Sequence, residues 1–237
     1  MKKKALVSGA SSGIGKAIVQ ALLKDGWEVT GIGRTFPEEA CFSNPRFHRQ
    51  VLDLLDEKAL ASFLETWEKK DLCLLVNCAG AAWYGPHETM HAPEIRAMTR
   101  TNLEVPMILT GALLRELRKN RGWIINIASV TAAAASPRAA AYGAAKAGLL
   151  HFSRTLFEEN RKHGLRVIAV LPDLTGTNLY RHADFTVSEH PDARLLPEDV
   201  AEAVMNLLSL REGALISELV IRPQRNEIRK KRSETVS

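Results

Sequence analysis

The sequence predicts an α/β fold: an open, doubly wound, mostly parallel sheet of about seven strands with helices on both faces. Three observations carry that prediction. Short β-branched or apolar runs alternate with amphipathic helical stretches along the whole chain. One run, Leu72 to Val76, is almost uninterruptedly apolar, as a strand covered on both faces requires. The first run passes through a glycine-rich turn straight into a helix, the unit from which wound sheets are built.

In chain order, Lys4 to Val7 forms the first strand, and a helix to about Asp25, closed by Gly26, follows the turn Ser8 to Gly15. Glycines at Gly9, Gly13 and Gly15 let backbone N–H groups approach an anion at a helix N-terminus. A dinucleotide pyrophosphate fits that description, with Ser11, Ser12 and Ile14 of the same turn beside it. The second strand, Glu28 to Ile32, ends in Gly33, Arg34 and Thr35. A binder of NAD usually places an acid near this strand end; here the acid is missing and Arg34 offers a guanidinium to a 2′-phosphate, which favours NADP(H) over NAD(H). The alternative for Arg34 is a solvated surface arginine. Phe47 to Val51 leads to Asp53 and Leu54, grouped with the cofactor contacts, and Glu57 to Lys70 reads as a helix burying Leu60, Phe63, Leu64 and Trp67. The apolar fourth strand opens into Asn77-Cys78-Ala79-Gly80, where Asn77, Ala79 and Gly80 suit a backbone passing close to a ligand.

A loop with Trp83, Tyr84 and His87 then forms a pocket edge before Pro93 opens a long helix reaching about Asn120. Pro106 has no N–H for the carbonyl of Asn102, so that helix should kink and could hold a water there. The stretch from Trp123 to Lys146 is a β-branched strand ending in Ser129, an alanine-rich loop, and a helix presenting Tyr142 and Lys146 one turn apart. Residues at i and i+4 share a helix face. A cation beside a phenol favours its anion, Ser129 can hydrogen-bond the same substrate oxygen, and Lys146 keeps a donor for a cofactor ribose. Beyond this helix, which runs to about Asn160, Leu165 to Leu171 is a strand with Pro172, Thr175 and Thr177 at its carboxyl end, where open sheets place ligands. Residues 178 to 196 read as an irregular polar lid, Pro197 to Leu210 as the last helix and Glu218 to Ile221 as the last strand.

The whole chain narrows the function further. Its 237 residues suit one domain, taken as 1–226, followed by a basic, flexible tail at 227–237. Seven of the positive charges sit at Lys2, Lys3, Lys4, Arg229, Lys230, Lys231 and Arg232, and removing them turns the net +5 into −2, against a nucleic-acid surface. No apolar run is long enough to span a membrane, and three cysteines without paired secretory spacing, with no long apolar signal segment at the basic start, point to the cytoplasm. His182, Asp184, His190 and Asp192 lack a recognisable metal spacing, and no Gly-x-Ser-x-Gly elbow makes Ser129 a nucleophile.

Ser8 to Gly15, Asn77 to Gly80, and the set Asn102, Ser129, Tyr142 and Lys146 together resemble the short-chain dehydrogenase/reductase family over nearly the full length. The resemblance implies a Rossmann-like fold and hydride transfer between nicotinamide and a carbonyl or secondary alcohol. Tyr142 is then the general acid or base, Ser129 positions substrate, Lys146 binds ribose, and Asn102 supports a water relay. It also implies a homodimer or homotetramer through helices around 102–117 and 142–160. The end Ser217 to Gln224 is similar to NADP-dependent 3-hydroxy acid dehydrogenases and carbonyl reductases. Departures are Ser8 for threonine, Cys78 for a second asparagine, Asp173 for the glycine after Pro172, and Thr175 for a branched aliphatic residue. The substrate is a small molecule, and Arg138, Arg181 and Arg194 are candidates to meet a carboxylate. The competing reading is a dinucleotide sensor or scaffold without turnover.

Overall fold

The computed structural model describes residues 3–231. Seven parallel strands, β1 (Lys4–Ser8), β2 (Glu28–Gly33), β3 (Phe47–Val51), β4 (Leu72–Asn77), β5 (Trp123–Ile127), β6 (Arg166–Pro172) and β8 (Glu218–Ile221), form one sheet in the order β3-β2-β1-β4-β5-β6-β8. The order reverses direction between β1 and β4, so a crevice opens at the carboxyl ends of those two strands.

Period-2 alternation sends each strand's residues to opposite layers. Ala5, Val7, Leu74, Val76, Ile125 and Ile127 pack with Ile18 and Leu22 of α1 (Gly13–Lys24) and Val200 and Val204 of α6 (Pro197–Leu208). Leu6, Leu75 and Ile124 pack on the other side. Their partners are Leu60 and Phe63 of α2 (Glu57–Thr66), Leu109 and Leu113 of α4 (Val105–Lys119), and Leu156 of α5 (Ala140–Asn160). Both layers are mostly apolar at the sheet, which is why β4 reads as a near-continuous hydrophobic run.

Local chemistry sets the ends. The Asp56 carboxylate accepts from Ala59 N at 3.0 Å and starts α2. Gly26, at φ +83°, ends α1 by donating to Leu23 O while Trp27 N reaches back to Leu22 O.

The structure differs from the sequence expectation in three places. α2 stops at Thr66, not Lys70, because Trp67 turns to extended backbone (ψ 130°) and stacks on Phe63 at 5.5 Å. The kink expected at Pro106 is a π-helical turn, Arg100–Glu104, between α3 (Ala92–Thr99) and α4. Such single-turn widenings tolerate a missing N–H and recur beside functional sites. The expected irregular lid contains β7 (Phe185–Val187), which pairs antiparallel with β9 (Ile228–Lys230). β9 therefore lies inside the stretch assigned to a flexible tail; Arg232 and the residues after it lie outside the described part.

Candidate active site

A cavity of about 740 Å³ runs along the carboxyl ends of β1, β2, β4, β5 and β6. At one end the cavity is lined by the tightly packed turn after β1. Gly9, at φ +67°, lies so close to Ala79 that a Cβ would come within 2.7 Å of its Cα, and a Cβ on Gly15 would meet Gly9 O at 2.2 Å. The Ser8 hydroxyl accepts from Cys78 N at 3.0 Å and Ala79 N at 3.2 Å, tying this turn to the end of β4. Ser8 thereby does with its hydroxyl what a threonine would. Gly9, Ser11, Ser12, Gly13, Ile14 and Gly15 all line the cavity.

Arg34 lines the same end, exposed, with no ion-pair partner among the described residues, and Asp53 and Leu54 stand nearby. The Asp53 carboxylate accepts from Leu55 N at 3.0 Å, shaping that turn. Thr35 is exposed and outside the lining.

Asn77 and Asn102 are also outside it, although Ala79 and Gly80 are part of it. The Asn77 side chain points between β5 and α4, donating to Asn126 Oδ1 at 2.8 Å and Thr110 Oγ1 at 3.4 Å. Asn126 in turn donates to Ser153 Oγ at 2.8 Å, a buried polar seam joining β4, β5 and α5. Asn102, fully buried in the π-helical turn, donates to Ala81 O at 2.7 Å and accepts from Ala81 N at 3.3 Å. It clamps the loop leaving β4.

Ser129, Tyr142 and Lys146 meet at the inner wall. Ser129 Oγ accepts from Thr131 N at 3.2 Å and from Thr131 Oγ1 at 3.0 Å, which leaves its one proton to donate to Tyr142. Burial holds the Tyr142 phenol well above its ordinary range, with Tyr180 adding to the rise and the Ser129 hydrogen bond opposing it. Lys146 is bound elsewhere: its Nζ donates to Ile127 O at 2.7 Å and sits 5.9 Å from the Tyr142 ring centroid. The hydrogen bond that the lysine makes within the chain thus goes to the strand-end carbonyl of Ile127. Burial pulls the Lys146 ammonium down to about 8, against a rise from Cys78. Burial also pushes the Cys78 thiol up to about 12, so it is neutral beside them.

Aromatic rings wall the substrate end, Tyr180 and Phe185 among them being ones that the sequence reading did not assign to the site. Tyr84 lies 5.7 Å from Tyr142, 5.9 Å from Tyr180 and 5.1 Å from Phe185, ring centre to ring centre. Only Tyr84 was legible, as part of the pocket-edge loop. Pro172, Thr175 and Thr177 line the cavity, and Thr175 Oγ1 donates to Asp173 O at 2.9 Å. Asp173 bends back to accept from Leu174 N at 2.9 Å, so its side chain braces the turn where a glycine was expected. Arg138 and Arg181 reach the cavity; Arg194 does not. Among the described residues no group of three His, Cys, Asp or Glu side chains could hold a metal, and no helix is long and apolar enough to cross a membrane.

Comparison with known proteins agrees with this geometry. A family model described as short chain dehydrogenase matches residues 3–186. A serine 3-dehydrogenase of Rhizobium radiobacter is 33% identical over 184 residues, covering 73% of this chain and 72% of its own. A 3-oxoacyl-acyl-carrier-protein reductase of Haemophilus influenzae is 32% identical over 219 residues, 87% and 90% of the two chains. The closed form of a serine dehydrogenase complexed with NADP+ superposes with a TM-score of 0.81 at 25% identity, covering 93% of this chain and 94% of that one.

Proposed function

The chain belongs to the short-chain dehydrogenase family, and from that premise we propose that it is an NADP(H)-dependent oxidoreductase interconverting a carbonyl and a secondary alcohol, with Tyr142 as the general acid or base. The observation that carries this reading is the convergence of Ser129, Tyr142 and Lys146 at the inner end of a cavity whose other end is the glycine turn and Arg34. The turn suits a dinucleotide, since Gly9 and Gly15 pack against Ala79 and the Gly9 carbonyl too closely for any Cβ, a tight strand-to-helix turn of the kind that presents N–H groups to a pyrophosphate. Gly9 to Gly15 would hold the pyrophosphate, Arg34 the 2′-phosphate, and Lys146 the nicotinamide ribose, which requires its Nζ to exchange Ile127 O for a ribose hydroxyl.

A bound nicotinamide supplies or takes the hydride. The chain's own part is proton transfer and positioning. In reduction Tyr142 gives its phenolic proton to the substrate oxygen, which the high proton affinity of the buried phenol keeps in place until charge develops there. Ser129, its acceptor sites filled by Thr131, donates its hydrogen bond either to that oxygen or to the phenolate left behind. Tyr84, Tyr180 and Phe185 exclude water from the reacting carbon. Asn102 supports the reaction by fixing the loop beyond β4, and a water at its π-helical turn would carry a proton from solvent back to the phenolate.

The test is NADPH consumption across 3-oxo acids, their esters, diketones and aromatic aldehydes, with Tyr142→Phe run beside wild type. General acid catalysis predicts a loss of about 10²-fold or more in turnover with cofactor affinity retained. Equal turnover in the two proteins would remove Tyr142 from the chemistry. NADPH binding with no turnover across the panel would assign the chain a sensing role instead.

A further inference from the structure

The strand that closes the substrate end is β9, and its register settles which of its side chains can meet a substrate. In the antiparallel pair Phe185 faces Lys230, Thr186 faces Arg229 and Val187 faces Ile228. Opposed residues share a face of the ladder, and successive residues point to opposite faces. Phe185 is in the aromatic wall beside Tyr142, 5.5 Å from Tyr180. Lys230 and Ile228 therefore point the same way and line the cavity, while Arg229 points outward and ion-pairs with Glu189.

The wall is fixed along its length. Lys231 N donates to Asp184 O at 2.8 Å, Lys231 Nζ to Tyr180 O at 2.8 Å, and Ser188 Oγ to the Glu227 carboxylate at 2.9 Å. The other cations of this end are engaged. Arg138 pairs with Asp184 at 2.8 Å, Arg181 donates to Asn178 O at 3.2 Å, and Arg222 stands 3.9 Å from Asp173. Lys230 alone among them has no hydrogen-bond or ion-pair partner among the described residues, and it stands over a pocket rimmed by aromatic rings.

We propose that Lys230 is the specificity residue of the site, and that the substrate is a hydroxy or oxo acid whose carboxylate lies remote from the reacting carbon and pairs with this ammonium. The inference rests on the reaction proposed at Tyr142 and adds the substrate class. A carboxylate fits better than a phosphate monoester because one free cation balances one charge, and a second charge against the aromatic wall would go uncompensated.

The experiment compares kcat/KM for oxo acids of increasing chain length with that for their methyl esters, in wild type, Lys230→Gln, Lys230→Arg and Arg229→Gln. A charge-assisted contact predicts that wild type prefers acid over ester by about 10- to 100-fold, mostly in KM. Lys230→Gln should erase that preference and Lys230→Arg restore most of it. Arg229→Gln loses the same charge from the outward face and should keep the preference. Preference surviving in Lys230→Gln, lost equally in Arg229→Gln, or directed to a phosphorylated carbonyl would overturn the assignment. Binding of butyrate, a monocarboxylate, to the NADPH-loaded protein, read by calorimetry, separates this from the reaction itself. If nothing turns over, the role of Tyr142 falls, and Lys230 stands only if butyrate binds wild type and not Lys230→Gln.

Discussion

Lys146 shows how one side chain couples the site to stability. Its ammonium is buried with a single backbone partner, Ile127 O, and burial brings it down from the ordinary 10.5 to about 8. Between those values the native chain holds fewer protons on Lys146 than the unfolded chain does, so this group makes stability rise with pH from about 8 to 10.5. The cost of the buried charge is present in full below pH 8. A shift of that size corresponds to on the order of 3 kcal/mol. The stability difference between Lys146→Met and wild type, from urea unfolding without cofactor, is therefore expected to favour the variant most near pH 7 and to shrink steadily toward pH 10. A flat difference would mean the lysine is not titrating in this window. Arg34 supports a second prediction at this scale. It has no carboxylate partner among the described residues, so Arg34→Ala should raise the Kd for NADPH by about 10-fold or more and leave NADH nearly unchanged, as loss of a charge-assisted phosphate contact would. Equal effects on both cofactors would take Arg34 out of 2′-phosphate recognition.

Among the elements, the polar seam from Asn77 through Asn126 to Ser153 fixes the spacing of β5, which leads to Ser129, against α5, which carries Tyr142. Ser153→Ala removes the acceptor of Asn126 Nδ2 at a site with no solvent access, and a stranded buried donor costs about 1–3 kcal/mol. Denaturant midpoints should fall accordingly, and a cost below about 0.5 kcal/mol would show that the seam relaxes around the gap. Elements whose signal is local were legible in the sequence. β4 announced itself by apolar continuity, α1 by its closing glycine, and the Ser129–Tyr142–Lys146 set by a strand end and one helix turn. Asn102 and Asn77 were legible as residues but not in what their side chains touch. A motif records that an asparagine is present, whereas the side chain's partner, Ala81 in one case and Asn126 in the other, depends on which neighbouring element presents a free polar group. The π-helical turn was legible only as a proline problem, since the sequence marks the missing N–H and not how the helix widens around it.

For the molecule as a whole, the sheet order follows from alternating strands and helices, but the closure of its substrate end does not. β7 and β9 are three residues each and separated by some forty positions, too short to carry a periodic pattern, so their pairing is a tertiary event. The outer surface of α4 raises the remaining question at this scale. The apolar residues of the second expected helix, Leu149, Phe152 and Phe157, read from sequence equally as interface or as internal core, and they are core: Leu149 is 1% exposed and the two phenylalanines pack against the chain's own core. What α4 leaves outside is Met107 at 45% and Ile108 at 39%, and beside them Gly111, where an added Cβ would meet nothing within 4 Å. Residues 107, 108 and 111 share one helix face, so a partner helix could approach the backbone closely and bury both apolar side chains. A homodimer or homotetramer built on α4 then predicts that Ile108→Glu, which places a charge at the centre of that face, yields a monomer by light scattering at micromolar concentration with its unfolding midpoint little changed. Wild type already running at the monomer mass of about 26.2 kDa would sink the oligomer. An unchanged larger mass in the variant would move the interface to another face.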